Sequence, residues 1–165
     1  MAKTVIKFKL DEKDIDRAIR EVKQFKKQFL EKCDQLIETL TERGAEIAKI
    51  QVAQLDAVYT GELMNSIEGY YSAASNVGII KADTLYAVHV EFGTGVVGKA
   101  SPHPKPNGWG QYDANGHGDR GWVYYDDESG KFRWTKGYKS RPFMFNTARE
   151  LERMCEKIAK EVFGT

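Results

Sequence analysis

Net charge is almost absent from this chain, whose 25 Lys and Arg stand against 24 Asp and Glu over 165 residues, a formal +1. A dedicated nucleic-acid binder carries an electrostatic excess that neutralises phosphates, so the chain as a whole gives no reason to expect sequence-specific nucleic-acid contact, with a local basic patch left open. Cysteine is scarce too. Cys33 and Cys155 both fall at apolar positions of helical patterns, where a reduced thiol behaves as a small hydrophobe; a disulfide between them stays open, but two residues make neither a secreted disulfide scaffold nor a zinc site. Long apolar runs are missing, because charge breaks every window well short of the roughly 18 residues that a membrane span needs. The first ten residues alternate polar and apolar with no continuous signal core, which predicts a soluble protein made and kept in a reducing cytoplasm. No repeat or low-complexity segment appears.

Proline numbers four, and three of these alternate as Pro102, Pro104 and Pro106. Their position bears on the chain's most conspicuous motif. Gly93-Thr94-Gly95-Val96-Val97-Gly98 fits G-x-G-x-x-G and, with Lys99, fits a phosphate-binding P-loop up to its final Ser/Thr, where Ala100 stands. A phosphate loop needs a helix directly behind it, to add the positive end of its dipole to converging backbone N–H groups. Prolines at alternate positions remove donors and push the preceding residues out of helical geometry, so that context is missing. Asp113 stands about twenty residues on, where a ribose ligand is expected, but acidic residues are too common for this to decide anything.

Periodicity organises the rest into one domain, residues 1–165. Residues 4–10 read as a short strand. From Asp11, apolar residues recur at spacings of three and four (Ile15, Ile19, Val22, Phe25, Phe29, Cys33, Leu36, Leu40), which predicts a long amphipathic helix. The stripe continues through Ile47 and Leu55 to Val58, with Thr41 to Gly44 as a point of bending or interruption, hence one very long helix or two in series. Core packing and packing between subunits both account for it. Residues 68–72 and 77–80, around a turn at 73–76, predict an antiparallel hairpin. Residues 84–92 predict a short helix with Asp83 as N-cap, a stripe of Leu85, Val88 and Phe92, and Gly93 as its end. Residues 93–121 read as a long, mobile Gly/Pro-rich loop, a length that is uncommon unless functional. Two aromatic runs, Gly121 to Tyr125 and Lys131 to Trp134, predict a hairpin that displays Trp122 and Trp134, on a face that covers either the core or a partner. Thr147 to Phe163 predicts a second amphipathic helix, approached through Arg141-Pro142-Phe143. The fold class expected is α+β, with the two helices packed on a small antiparallel sheet.

Convergent chemistry is hard to find. His89 lies in an apolar stretch and His103 and His117 in the long loop, so the three histidines do not converge in sequence. Asp113 to Asp119 places oxygen ligands at alternate positions like the start of a calcium loop, yet the twelfth position is Tyr124 instead of Glu. No nucleophile motif surrounds either cysteine, and G-x-S-x-G does not occur. The sequence predicts no catalytic, cofactor or metal site.

Three segments in order carry a resemblance: Gly61-Glu62-Leu63-Met64-Asn65-Ser66-Ile67, then Tyr86-Ala87 through Val90-Glu91-Phe92-Gly93-Thr94-Gly95, then Arg141-Pro142-Phe143-Met144 with Ala148 beyond. Together they resemble the neck and tail-component family of long-tailed bacteriophages and prophages, over about residues 12–163. The resemblance implies a structural virion protein without enzymatic activity, acting in head-tail joining or tail completion. It also implies other neck and tail proteins as partners and a homo-oligomeric ring in the particle. The loop and hairpin between Val96 and Lys139 exceed the family core. Gly93 and Gly95 allow a sharp reversal beside Glu91 and Phe92, and Pro142 fixes an extended lead into the last helix. Glu91 and Arg141 are therefore expected to pair across this joint. Two alternatives stand beside this reading: a nucleotide-binding module or enzyme using Gly93 to Lys99, and an adaptor binding a host protein through the aromatic hairpin.

Overall fold

Asp11 accepts a hydrogen bond on its side chain from the Asp14 amide (2.9 Å) and so caps a single helix, α1 (Glu12–Gln54), with Glu12 and Asp14 favourably placed in its first turn. This comes from a computed structural model, which describes residues 9, 11–58, 60–105, 120–127 and 129–164; of the strand expected over 4–10 only Lys9 is described, and it is not in a strand, while the loop residues 106–119, with His117 and the calcium-like run, lie outside the described residues. The other elements are α2 (Glu62–Asn65), β1 (Ile67–Ser72), β2 (Val77–Ala82), α3 (Ala87–Phe92), α4 (Gly95–Ala100), β3 (Trp122–Asp126), β4 (Lys131–Thr135) and α5 (Phe143–Phe163). The chain is α+β as expected, and among the described residues the strands form two antiparallel pairs, β1 with β2 and the aromatic hairpin β3 with β4. No described helix is long and apolar enough to cross a membrane.

The described residues group into two compact units. Unit 1 takes residues 1–44, 69–80 and 151–165, and the β1–β2 hairpin there explains why Gly44 does not interrupt α1. A Cβ on Gly44 would collide with Ile80 Cδ1 and lie 2.7 Å from Leu151 Cδ1, while one on Gly69 would lie 2.8 Å from the Thr41 carbonyl oxygen. These glycines admit close approach; they do not loosen the chain. Gly→Ala on an ordinary helix surface stabilises by about 1 kcal/mol. For Gly44→Ala that gain is offset by displacing the half-buried ends of the Ile80 and Leu151 side chains, so we expect a net loss of up to about 1 kcal/mol, measured by urea denaturation. A gain would show that packing does not select the glycine.

Tyr71 also lies in unit 1 and donates to Asp34 Oδ1 at 2.7 Å, a bond that pushes its phenol up to about 12, with burial and the charges of Asp34 and Glu38 adding to the effect. Because the folded state holds this proton more tightly, the associated stability is present below pH 10 and is lost as pH rises toward 12. In an alkaline absorbance titration, Tyr71→Phe should remove one tyrosinate from the latest phase. Loss from the main phase near pH 10 would contradict the assignment.

Unit 2 takes residues 45–68 and 81–150 and contains the largest fully buried side chains, Phe143, Leu63, Ile67, Val52 and Thr147. The first helix ends here at Gln54, short of the expected Val58. Asp56 turns left-handed (φ 52°) and the Ala57 amide reaches back to the Val52 carbonyl at 3.0 Å, closing the helix as a Schellman-type end. Phe143 begins α5 one turn earlier than expected, because the Pro142 carbonyl already accepts the Asn146 amide at 2.9 Å.

Candidate functional site

Glu91 lies at the end of α3, where the buried residues are Ala87 and Glu91, one turn apart. This corrects the expected stripe: Leu85 precedes the helix and is fully exposed, and Val88 is exposed as well. Asp83 does not cap α3, since Tyr86 holds the cap position and Asp83 pairs with Lys81 at 2.9 Å. Gly93 closes the helix as expected, at φ 76°.

The buried Glu91 carboxylate accepts three hydrogen bonds. The Met144 amide donates to Oε2 at 2.9 Å, the Phe145 amide donates to Oε1 at 3.0 Å, and His103 Nε2 lies 3.0 Å from Oε1. The two amides belong to the first turn of α5, where a helix leaves its N–H groups without intrahelical partners and its dipole is positive. Glu91 is thus an N-cap supplied from about fifty residues away in sequence. His103 is buried beside it, and its Nδ1 accepts the Lys105 amide at 3.0 Å. That bond leaves the ring proton on Nε2, so His103 donates to Glu91. Phe92 and Phe145 flank the imidazole, with ring centroids at 4.6 and 5.3 Å.

The expected partner of Glu91 was Arg141, and this is corrected. Arg141 does arrive at the joint, where its backbone amide donates to the Val90 carbonyl at 2.9 Å, but its buried side-chain Nε has no hydrogen-bond partner among the described residues. The helix-start amides and His103 fill the carboxylate instead.

The joint continues along the chain as a backbone zipper. Thr94 and Tyr138 exchange backbone hydrogen bonds in both directions (2.9 and 3.1 Å), Val97 donates to the Lys136 carbonyl at 3.3 Å, and the Ser140 hydroxyl donates to the Glu91 carbonyl at 2.6 Å. This corrects the reading of residues 93–121 as a loop without secondary structure over its first part. The sequence Gly95-Val96-Val97-Gly98-Lys99-Ala100 has poor helix propensity, yet it forms α4 because tertiary contacts override propensity. A Cβ on Gly98 would lie 2.8 Å from the Gly93 carbonyl carbon, so helix and turn meet at van der Waals distance.

Two chemical readings meet this geometry. A phosphate cradle needs converging free amides, whereas those of Thr94, Val97 and Gly98 all donate to carbonyls of this chain. A carboxylate–histidine pair acts as a base only through a free ring nitrogen, and both nitrogens of His103 are engaged. Among the described residues, no group of three or more His, Cys, Asp or Glu is arranged to hold a metal ion. His89 is exposed on α3, and Cys33 and Cys155 are free thiols, Cys155 exposed.

The aromatic hairpin pairs Trp122 with Thr135, Val123 with Trp134, Tyr124 with Arg133 and Tyr125 with Phe132. Directly paired residues share a face and neighbours alternate, so Trp122 and Trp134 point to opposite sides and do not build the common apolar face expected of them. Trp122 lies over Gly95, where a Cβ would come within 2.8 Å of its ring. The other side carries Val123, Tyr125, Phe132 and Trp134, all exposed, with the Tyr125 and Phe132 rings edge-on at 5.2 Å and Lys136 Nζ 5.6 Å from the Trp134 ring.

No protein-family model, curated protein or solved structure matches the chain.

Proposed function

We propose that this chain is a structural virion protein of a phage or prophage, made in the bacterial host cytoplasm and acting at the head-tail junction in tail joining or completion. In this reading it works by protein-protein contacts with other neck and tail proteins, within a homo-oligomeric ring. One observation carries the reading: the second and third segments of the resemblance, 86–95 and 141–144, meet as a single joint with the Glu91 carboxylate at its centre. The Glu91 carboxylate and both ring nitrogens of His103 are engaged by the chain itself, as architecture requires and as a substrate site does not. The exposed aromatic side of β3–β4 is the complementary element, an apolar surface suited to a neighbouring protein. In a ring each subunit meets its neighbours through two different faces, and the hairpin supplies one of them.

The test is deletion of the gene from its phage or inducible prophage, with electron microscopy of the lysate. The reading predicts filled heads beside separate tails for a joining role, or tails of abnormal length for a completion role. Intact, infectious particles would refute it.

A further inference from the structure

The apolar stripe of α1 changes character along its length. From Cys33 onward its side chains turn into unit 1, with Leu36, Ile37 and Leu40 half-buried and Thr41 buried. Nearer the start, Ile15, Ile19, Val22 and Phe25 remain 38%, 46%, 53% and 47% exposed. The end of α5 reaches this helix at Phe29, where Phe163 lies 5.7 Å away ring to ring and its carbonyl accepts Lys32 Nζ at 3.2 Å. The uncovered stripe begins one turn before that contact. Single exposed apolar residues need no explanation, but four in register along one helix form a continuous patch of the kind that marks an interface.

Charge selects the occupant. Residues 11–16 hold four acids and one lysine, while residues 23–32 hold four lysines and one glutamate. A second copy aligned parallel would set acid against acid and lysine against lysine. Aligned antiparallel, the acidic start of each helix lies along the basic stretch of the other, and the helix dipoles oppose one another favourably. The heptad pattern also supplies a register, with Ile15, Val22 and Phe29 at one seam position and Ile19, the exposed Lys26 and Cys33 at the other, Lys26 being a lone polar seam residue of the kind that fixes register at a cost in stability. Setting Ile19 against Val22 of the second copy closes a two-fold axis and puts Asp16 beside Lys23 at both ends. Arg17 is paired within the helix to Asp14 and Glu21, and Lys27 to Glu31. Among the described residues, neither Asp16 nor Lys23 takes part in an ion pair.

We propose that residues 12–29 of α1 form a self-association surface on which a second copy of this chain packs antiparallel, Ile19 against Val22 and Asp16 beside Lys23. The helix is already folded, so association orders little beyond side chains. The proposal is independent of the phage reading and stands or falls without it.

Sedimentation equilibrium on the full chain, at low salt and from about 1 to 500 µM, is the experiment. A concentration-dependent dimer is expected, and Val22→Lys should leave a monomer with an unchanged far-UV circular dichroism spectrum. Asp16→Lys and Lys23→Asp should each weaken the dimer by about tenfold, because each turns attraction into repulsion at two symmetry-related places, and the double exchange should restore it. These substitutions change exposed polar positions and keep the test valid if Val22→Lys disturbs folding. A monomer at every concentration would overturn the proposal, as would a dimer indifferent to both kinds of substitution. Single exchanges that the double exchange does not repair would overturn the antiparallel register.

Discussion

Replacing Glu91 by alanine is expected to lower stability by about 3–5 kcal/mol, the range for removing one partner from a buried charged cluster. The size follows from what is left behind. The Met144 and Phe145 amides lose the acceptor that caps α5, and buried His103 loses the acceptor for its Nε2 proton. Each orphaned donor costs about 1–3 kcal/mol, and relaxation toward water at the half-buried helix end recovers part of the total. Glu91→Gln retains one acceptor oxygen but turns an amide N–H₂ toward donors, so it should fall between, at about 1–3 kcal/mol. Urea denaturation of both variants checks the order. A loss below about 1 kcal/mol for Glu91→Ala would mean that the cap is not worth what its geometry indicates.

The second large effect is expected at Gly137, which faces the same joint from the other strand of the zipper. Its φ is +98°, outside the range that side-chain-bearing residues favour, and a Cβ there would collide with the Thr94 carbonyl oxygen and lie 2.9 Å from the Gly95 amide nitrogen. Both atoms are backbone and have no rotamer by which to retreat. The conformational cost of about 1–2 kcal/mol and the overpacking cost of about 1–3 kcal/mol together give a loss of about 2–5 kcal/mol for Gly137→Ala. The effect should be non-additive with Glu91→Ala, because once the zipper is open the cap has less to hold. Thermal denaturation of the two single variants and the double variant measures this. Strict additivity would separate the zipper from the cap as independent devices.

Much of the architecture was legible because it is periodic. The stripe from Ile15 to Leu40 marks α1, that from Leu151 to Val162 marks α5, and turn residues at 73–76 and 126–130 mark the two hairpins. What escaped depends on distance. A cap that arrives from residue 91 to start a helix at 143 leaves no local trace, so periodicity alone starts α5 at Thr147, and the places of Glu91 and Arg141 in the two signature segments suggest an ion pair that the helix-start amides displace. The Gly- and Pro-rich composition around His103 reads as a mobile loop. Yet Pro102 and Pro104 restrict their neighbours to extended geometry, and a stiff strap is what holds a ring against Glu91 and Phe92. The opposite orientation of Trp122 and Trp134 was readable in principle, since the period of two and a turn at 127–130 give them opposite parity. The helix α4 was not readable, as two glycines and two valines form one only when Lys136 and Tyr138 lie alongside.

The most direct test of the account is amide hydrogen exchange, followed by NMR, at Met144 and Phe145. If Glu91 joins the two signature segments as architecture, both amides should exchange only through global unfolding in the native chain and become locally labile in Glu91→Gln. Exchange in the native chain as fast as at a frayed helix end would contradict the joint, and with it the structural role assigned to these segments.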